Sequence, residues 1–330
     1  MEVEMEVIVK KYASGSASGR DVHLDTPLSN IAIKAFQGSA QYIAQALLPI
    51  VPVGKQSDKY YIIDKDSWLL VYNTRRAPKT SPRRIEFKVS SDSYFCNNYA
   101  LAGDNAKEDF ANADIAIMLR ENTTQLVVDA LLRDYEVRVA NTVTSLSNLG
   151  SGVSLSGTAK WNDFVNSDPI ADVTTGHAFI RQATGLTANT LVIDKDTLMV
   201  VRRHPQLLEY FKYTQGGMVT SDQLKLVFDV DTILVGEGVK NVALEGATAS
   251  VTNIWGNNVI LARVVPGVSR QTETFGLSFR WTPSGLPAPM ATRRYDDPDP
   301  GKGVEVVDVN YFQDEKLVAP SLSYGIASTL

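Results

Sequence analysis

Cysteine is nearly missing. Cys96 is the only one in 330 residues, so no intrachain disulfide can form and multi-cysteine zinc sites are excluded. Histidine is almost as scarce: His23, His177 and His204 are scattered along the chain, none beside a nucleophile or a third metal ligand, and each reads as a core or surface residue. An excess of positive charge is also lacking. Thirty-two Lys and Arg against 37 Asp and Glu give −5, which excludes a dedicated nucleic-acid binder, whose affinity rests on neutralising phosphates. There is no long apolar run either. Ala35 to Gly54 is uncharged, but Gln37, Gln41 and Gln45 interrupt it, and Pro49 and Pro52 stop a helix short of the roughly 20 apolar residues a membrane span needs. The start, MEVEMEVIVKKY, alternates acidic and apolar residues instead of showing a basic start and an apolar centre, so it is not a secretory signal. The expectation is a protein made in the cytoplasm with no membrane partner.

The motifs of phosphate binding and nucleophilic catalysis are missing as well. No G-x-x-x-x-G-K-[ST], G-x-S-x-G or H-E-x-x-H occurs, and Gly236-Glu237-Gly238 lacks the third glycine of a pyrophosphate cradle. Asp64-x-Asp66, Asp194-x-Asp196, Asp229-x-Asp231 and Asp297-x-Asp299 open like cation loops, but none continues with the Gly and Glu of an EF-hand. They read as turn and cap residues. Cys96, among Tyr94, Phe95 and Tyr99 with no adjacent base, reads as a buried, inert thiol in a strand. No catalytic, cofactor-binding or metal-ligating residue is assigned, and no cofactor is expected.

What is present belongs to a folded chain. Hydrophobic residues at 44% and charged residues at 21% are near globular averages, which excludes wholesale disorder. Residues 13 to 26 (ASGSASGRDVHLDT) are small and polar, the composition of a flexible arm. Leu28 to Leu48 suits short helices ending at Pro49. From Gly54 to Tyr99, aromatic and β-branched residues alternate with charges on both sides of a proline-bearing middle, Asn73 to Pro82, so two long strands flank an extended loop. That loop and its far flank carry Arg75, Arg76, Lys79, Arg83 and Arg84 with no acid between them. Long structureless connections in compact domains are usually functional, and arginine forms bidentate pairs with carboxylates. The tip reads either as a solvated loop whose charges keep an edge from aggregating or as a contact with an acidic patch on a neighbouring subunit, with Asp296, Asp297 and Asp299 in the stretch Pro283 to Pro300 as candidate acids.

From about Ala113 to Ser145 the pattern turns helical, with Leu119, Leu126, Val128, Leu132, Tyr135, Val139 and Val143 spaced by threes, fours and sevens and no Gly or Pro. A helix of roughly 30 residues would run about 45 Å. Past the break Gly150 to Gly157 the pattern is mixed: a helix from Pro169 capped by Asp168, a strand Asn189 to Ile193, a helix Asp194 to Arg203, and a helix capped by Thr220 or Ser221 that runs to Phe228. Strands are expected at Thr232 to Val235, Val251 to Trp255, Val259 to Val265, Phe275 to Trp281, Val304 to Phe312 and Leu317 to Ser323. Gly256-Asn257-Asn258 is expected to turn a hairpin.

The ordered series Leu48-Pro49-Ile50-Val51-Pro52-Val53, Gly54-Lys55-Gln56-Ser57-x-Lys59-Tyr60-Tyr61 and Asp64-Lys65-Asp66-x-Trp68 resembles the start of a tailed-phage major capsid protein. Further matches follow in order: Arg76-Ala77-Pro78, Tyr94-Phe95-Cys96-x-x-Tyr99-Ala100-Leu101, Trp161 with Ser167-Asp168-Pro169-Ile170, Asn189-Thr190-Leu191-Val192, Arg203-His204-Pro205 and Ile254-Trp255-Gly256. The resemblance implies an α+β chain of the Hong-Kong-97-type capsid fold, with an N-terminal arm, an extended β-hairpin loop, a peripheral domain with a long spine helix, and an axial α/β domain. Laid on this chain, it divides into an arm with short helices at 1–53, the extended loop at 54–100, the peripheral domain at 101–157, the axial domain at 158–266, and return strands, mostly peripheral, at 267–330.

The resemblance also implies a function: homo-hexamers and homo-pentamers that close into an icosahedral shell around double-stranded DNA, with no catalysis. The localisation is then the virion, assembled in the bacterial host cytoplasm. It implies a portal, a possible decoration protein, and DNA contacted weakly at the inner surface. Some members carry a scaffolding segment before the arm; this sequence leaves no room for one, so a separate scaffolding protein is expected. Two other readings compete, a metal-dependent α/β hydrolase using the Asp-rich turns and a shell-binding decoration protein. A compact monomer with a carboxylate pocket would favour the first, and a smaller chain without a long helix the second.

Overall fold

The computed structural model describes residues 23–24, 42–63, 69–76, 78–82, 84, 89–112, 116–211, 220–244, 246–267, 273–283, 290–299 and 303–330. Most of the proposed arm, Arg83, and the pair Asp64 and Asp66 lie outside them. In chain order the first elements are β1 (His23–Leu24), the one-turn α1 (Ala44–Leu47) and β2 (Ile50–Val53). Next come β3 (Ser57–Ile63), β4 (Val89–Phe95), β5 (Asn97–Ala106), α2 (Lys107–Asn112) and the 28-residue α3 (Ala116–Val143). After β6 (Ser151–Ser154) stand α4 (Pro169–Thr184), β7 (Thr190–Asp194), α5 (Lys195–Val201), α6 (Pro205–Tyr210) and α7 (Ser221–Phe228). The remainder is β-rich: β8 (Thr232–Gly236), β9 (Val239–Asn241), β10 (Val251–Asn253), β11 (Val259–Ala262), β12 (Leu277–Trp281), β13 (Met290–Asp296), β14 (Val304–Lys316) and β15 (Ser323–Ala327).

The helix starts follow their sequence signals. The Asp168 carboxylate accepts the Ala171 N–H at 2.9 Å with Pro169 in the first turn, and Asp194 accepts the Asp196 N–H. At α7 the Thr220 hydroxyl takes the Gln223 N–H while the Gln223 side chain takes the Thr220 N–H, a reciprocal capping box. Helix α4 ends on Gly185 in the left-handed region, φ +73°, where a side chain would be strained.

Two sheets organise the chain. In the first, β14 is the central strand: β5 pairs along one edge from Val304 to Gln313, while β13 and then β12 take successive halves of the other. Strand β2 runs parallel to β12 at its border, and β1 pairs with β13. Helix α3 lies across β5 and β14. Val128, Leu132, Tyr135 and Val139 are buried, the one-face stripe that the heptad-like spacing predicts. The approach is close enough to need glycine in β5: a Cβ on Gly103 would stand 2.5 Å from a Thr123 methyl. Arg120 grips Glu305 through two N–H donors at 2.6 and 2.9 Å. Arg138 bonds Glu315 at 3.0 Å and lies 3.6 Å over the Tyr99 ring, so charge also locks the helix to the sheet.

The second sheet is mixed, in the order β6-β15-β11-β7-β8. Every residue of β7 and β11 is buried; successive strand residues point to opposite faces, so both faces are covered. Helix α4 packs on β15 and β11, and α5 on β7 and β8. Glu136, in the middle of α3, joins the two halves. It is fully buried and accepts three hydrogen bonds: the Ile43 N–H at 3.0 Å, the Ala44 N–H at 2.8 Å and the Trp255 indole N–H at 2.6 Å. Burial pushes its carboxyl above the ordinary value, and the three donors pull it back.

The structure corrects the sequence reading in several places. Gly256 does turn, with φ +57°, but it does not make a hairpin: β10 pairs back with β9, and β11 enters the five-stranded sheet between β15 and β7. Trp255, held by Glu136, fixes the chain between the two pairings. The strand expected over Leu317 to Ser323 is a connection with a 3₁₀ turn at Pro320–Leu322, and the strand follows it. Proline at 320 has no N–H for a ladder. The stretch Pro283 to Pro300 contains β13. Leu126, counted in the apolar stripe, is 71% exposed on the far side of α3. Cys96 is buried, as expected, but sits between β4 and β5 and not within a strand.

Candidate assembly surfaces

The hairpin of β3 and β4 is in register from Ser57 opposite Phe95 to Ile63 opposite Val89, and its base is pinned. Phe279 of β12 stacks on Tyr94 at 4.6 Å between ring centroids and on Tyr60 at 5.3 Å. Val51, Tyr94, Cys96, Leu277 and Phe279 form a small second core beneath it. The Phe95 N–H donates to Asp314 at 2.9 Å, and the Tyr60 hydroxyl to Asp92 at 2.9 Å. The Cys96 thiol lies 3.4 Å from the Phe279 carbonyl, and burial pushes its pKa up to about 11, so the reactive thiolate is suppressed at neutral pH.

Beyond that base the loop is exposed. Leu69, Leu70 and Val71 stand in solvent, Val71 at 96%. Arg75, Arg76, Lys79 and Arg84 are exposed, and none of the four forms an ion pair with another described residue. The Arg75 N–H donates to the Asn73 side chain at 3.1 Å, and Lys79 takes a left-handed backbone, φ +65°, so the tip is a folded turn and not a bare string.

The candidate acids stand at the C-terminal end of β13. Asp296 is held by Lys107 of its own chain at 3.0 Å, both side chains more than half exposed. The Asp297 carboxylate accepts the Asp299 N–H at 2.9 Å, and the Asp297 N–H donates to the Val304 carbonyl. Among the described residues none of these acids forms an ion pair with Arg75, Arg76, Lys79 or Arg84.

The remaining titratable residues serve packing. Asp194 accepts from Asn253, which also reaches Asp196 at 2.8 Å. His177 contacts the Phe228 carbonyl at 2.8 Å. His204 is buried, its Nε2 at 3.1 Å from the Ser167 hydroxyl. That hydroxyl donates to the Asp163 carbonyl at 2.7 Å, so Nε2 carries the proton and donates to it, leaving Nδ1 unprotonated and without a partner. Among the described residues no three His, Cys, Asp or Glu gather in a way that could hold a metal ion, and no helix is long and apolar enough to cross a membrane.

A cleft of about 470 Å³ opens where the start of α4 meets α6, lined by Asp168, Ile170, Ala171, Gln206, Glu209 and Tyr210. Exposed Phe164, Val165 and Leu208 lie near these positions in sequence, Val165 at 88%. Residues 239–253 project as a second exposed ribbon bearing Val239, Val242, Leu244 and Val251. Sequence reasoning missed both the cleft and this ribbon. The only advance signal was the run of exposed-type valines and leucine around Lys240.

No family model matches the chain. Individual relatives do. It is 28% identical over 307 residues to a major capsid protein of Pseudomonas phage JBD67, covering 91% of this chain and 95% of the relative. It is 30% identical over 279 residues to a major capsid protein of Burkholderia phage BcepMu, covering 83% and 87%. A crystal structure of a phage-related protein from Bordetella bronchiseptica RB50 superposes with a TM-score of 0.72 at 26% identity, covering 93% of this chain and 97% of that one. The mature capsid of bacteriophage PhiM1 superposes at 0.54 with 12% identity and 87% of each chain covered, a likeness of fold alone. The superposition on phage capsids over most of the chain shows the α+β fold of Hong-Kong-97-type shells, and with 30% identity to a major capsid protein along most of its length this chain belongs to the tailed-phage major capsid proteins.

Proposed function

We propose that the chain is the structural subunit of a phage head, assembling through homo-hexamers and homo-pentamers into an icosahedral shell that encloses double-stranded DNA. The observation that carries this reading is the pinned but projecting hairpin: its base is fixed by Phe279 and Asp314, while Leu69, Leu70 and Val71 are exposed and Arg75, Arg76, Lys79 and Arg84 form no ion pair among the described residues. Exposed apolar surface of this kind marks a contact with another chain. The basic residues Arg75, Arg76, Lys79, Arg83 and Arg84 are proposed as assembly contacts, with Asp296, Asp297 and Asp299 a second charged contact region. The division of the chain at 53, 100, 157 and 266 is proposed on the same basis. A separate scaffolding protein, a portal, a possible decoration protein and weak contact with packaged DNA complete the reading, with assembly in the host cytoplasm.

Negative-stain images and sedimentation of the purified protein, alone and with its scaffolding partner, test this. Rings and closed shells are the expected result. A monodisperse monomer at micromolar concentration, unchanged by crowding or scaffold, would overturn it.

A further inference from the structure

The cleft between α4 and α6 carries two carboxylates beside the hydroxyl of Tyr210 and the amide of Gln206. Asp168 and Glu209 supply carboxylates with no ion pair among the described residues, and the side-chain carbonyl of Gln206 is shut off from solvent and accepts no hydrogen bond. The exposed carboxylates of Asp168 and Glu209 suit an incoming cation. Tyr210, itself exposed, adds apolar area to the cleft, so the occupant must bring an apolar side chain beside that cation.

The cations of residues 150–266 narrow the choice. Lys195 is taken by Glu237, Lys225 by Asp222, Lys160 by the Leu330 carbonyl, Arg202 by Ser221, Arg203 by the Met199 carbonyl and Arg263 by the Thr187 carbonyl. Among the described residues this leaves Arg181 and Lys240 without a side-chain partner. Only Lys240 is flanked by exposed apolar residues: Val239, Val242, Leu244 and Val251 on the β9–β10 ribbon. A two-stranded ribbon alone is marginally stable in water, and this one exposes most of its side chains. Both surfaces belong to the same end of the five-stranded sheet. The ribbon follows β8 at Gly236, and the start of α4 is tied there through Trp161, Thr329 and Asn257.

We infer that the ribbon of one copy seats in the α4–α6 cleft of the next, Lys240 meeting Glu209 and Asp168 while Val242, on the same face of the ribbon as Lys240, covers Tyr210. The contact joins two different patches, so it repeats head to tail and closes into a ring when the rotation allows. It rests on the shell-subunit reading and names the surfaces that would hold a ring of subunits together.

The test uses Tyr210→Cys combined with Val242→Cys in the full chain; the one native cysteine is buried and stays out of the reaction. Mild oxidation of assembled particles is expected to give a ladder of covalent oligomers ending at five or six chains on non-reducing gels. Either single variant should give no ladder. Particles that form normally yet run as monomers overturn the contact and leave the shell reading standing, whereas wild-type protein that forms no particles overturns that reading itself. Charge reversal decides the case in which the cysteine pair prevents assembly. Lys240→Glu and Glu209→Lys should each lower ring yield at least tenfold with unchanged melting temperature, and the combined variant should restore most of it. Wild-type yields from both single variants overturn the proposal.

Discussion

Glu136 shows what a single side chain can hold in this fold. It occupies the apolar stripe of α3, four residues after Leu132 and three before Val139, and its three donors come from α1, the residue before it, and the loop after β10. Replacing it by Leu, of similar size, would strand three buried donors. At about 1–3 kcal/mol for each unmade bond, a loss of roughly 3 kcal/mol or more is expected in urea unfolding, and Gln, which keeps one acceptor, should lose less. A Leu variant within about 0.5 kcal/mol of wild type would show that these bonds carry no net stability. His204 makes a pH prediction. Burial holds its pKa below the ordinary value, partly offset by the nearby Asp168 carboxylate. The folded state therefore binds the proton less readily than the unfolded chain, so this group's stability is intact above about pH 6.5 and falls as pH drops through the unfolded value toward the lowered folded one. His204→Gln, which can still bond Ser167, should flatten the dependence of melting temperature on pH below about 6.5. An unchanged slope would assign the acid sensitivity to other groups.

At the scale of elements, legibility followed locality. The long helix was readable because its period of threes and fours, and its freedom from Gly and Pro, are local properties; α3 covers 116–143 where about 113–145 was expected. Caps at Asp168, Asp194 and Thr220 were readable for the same reason. The turn at Gly256 was recognised but its pairing was not, because β10 chooses β9 over β11 through a tryptophan anchored more than a hundred residues away at Glu136. Strand β13 was hidden by the prolines on either side of it and by a sequence, Met-Ala-Thr-Arg-Arg-Tyr-Asp, that does not alternate. For α3 the expectation is specific. Leu132→Ala should cost about 2–5 kcal/mol through lost contacts and a cavity, and Leu132→Pro about 3 kcal/mol or more by deleting a backbone bond and clashing with the preceding turn. Gln125→Ala and Arg133→Ala lie on the exposed side, where changes stay within about 0.5 kcal/mol. Arg133 pairs with Asp129 in an exposed i,i+4 arrangement, a contact worth only a few tenths. Equal losses at Leu132 and Gln125 in denaturant titration would contradict the assigned face.

At the scale of the molecule, the features proposed to carry assembly are those that contribute least to the stability of one subunit. The hairpin base is packed on Phe279 and bonded to Asp314, but the tip cations touch no described carboxylate of their own chain. Folding and assembly should therefore separate when the tip is altered. In a variant with Arg76, Arg83 and Arg84 all replaced by Ala, melting temperature and circular dichroism are expected to match wild type, since exposed substitutions usually cost within about 0.5 kcal/mol each. Shell yield should fall, and the wild-type yield itself should fall with added salt, because contacts between exposed charges are screened over about 8–10 Å at physiological ionic strength. Adding the same salt to the triple variant should change its residual yield less, since the charges that salt screens have already been removed. Shells from the triple variant at wild-type yield and with wild-type salt dependence would take the tip out of the interface. A drop in melting temperature of several degrees would instead place the arginines in the subunit's own fold, contrary to the exposure of Arg76 and Arg84.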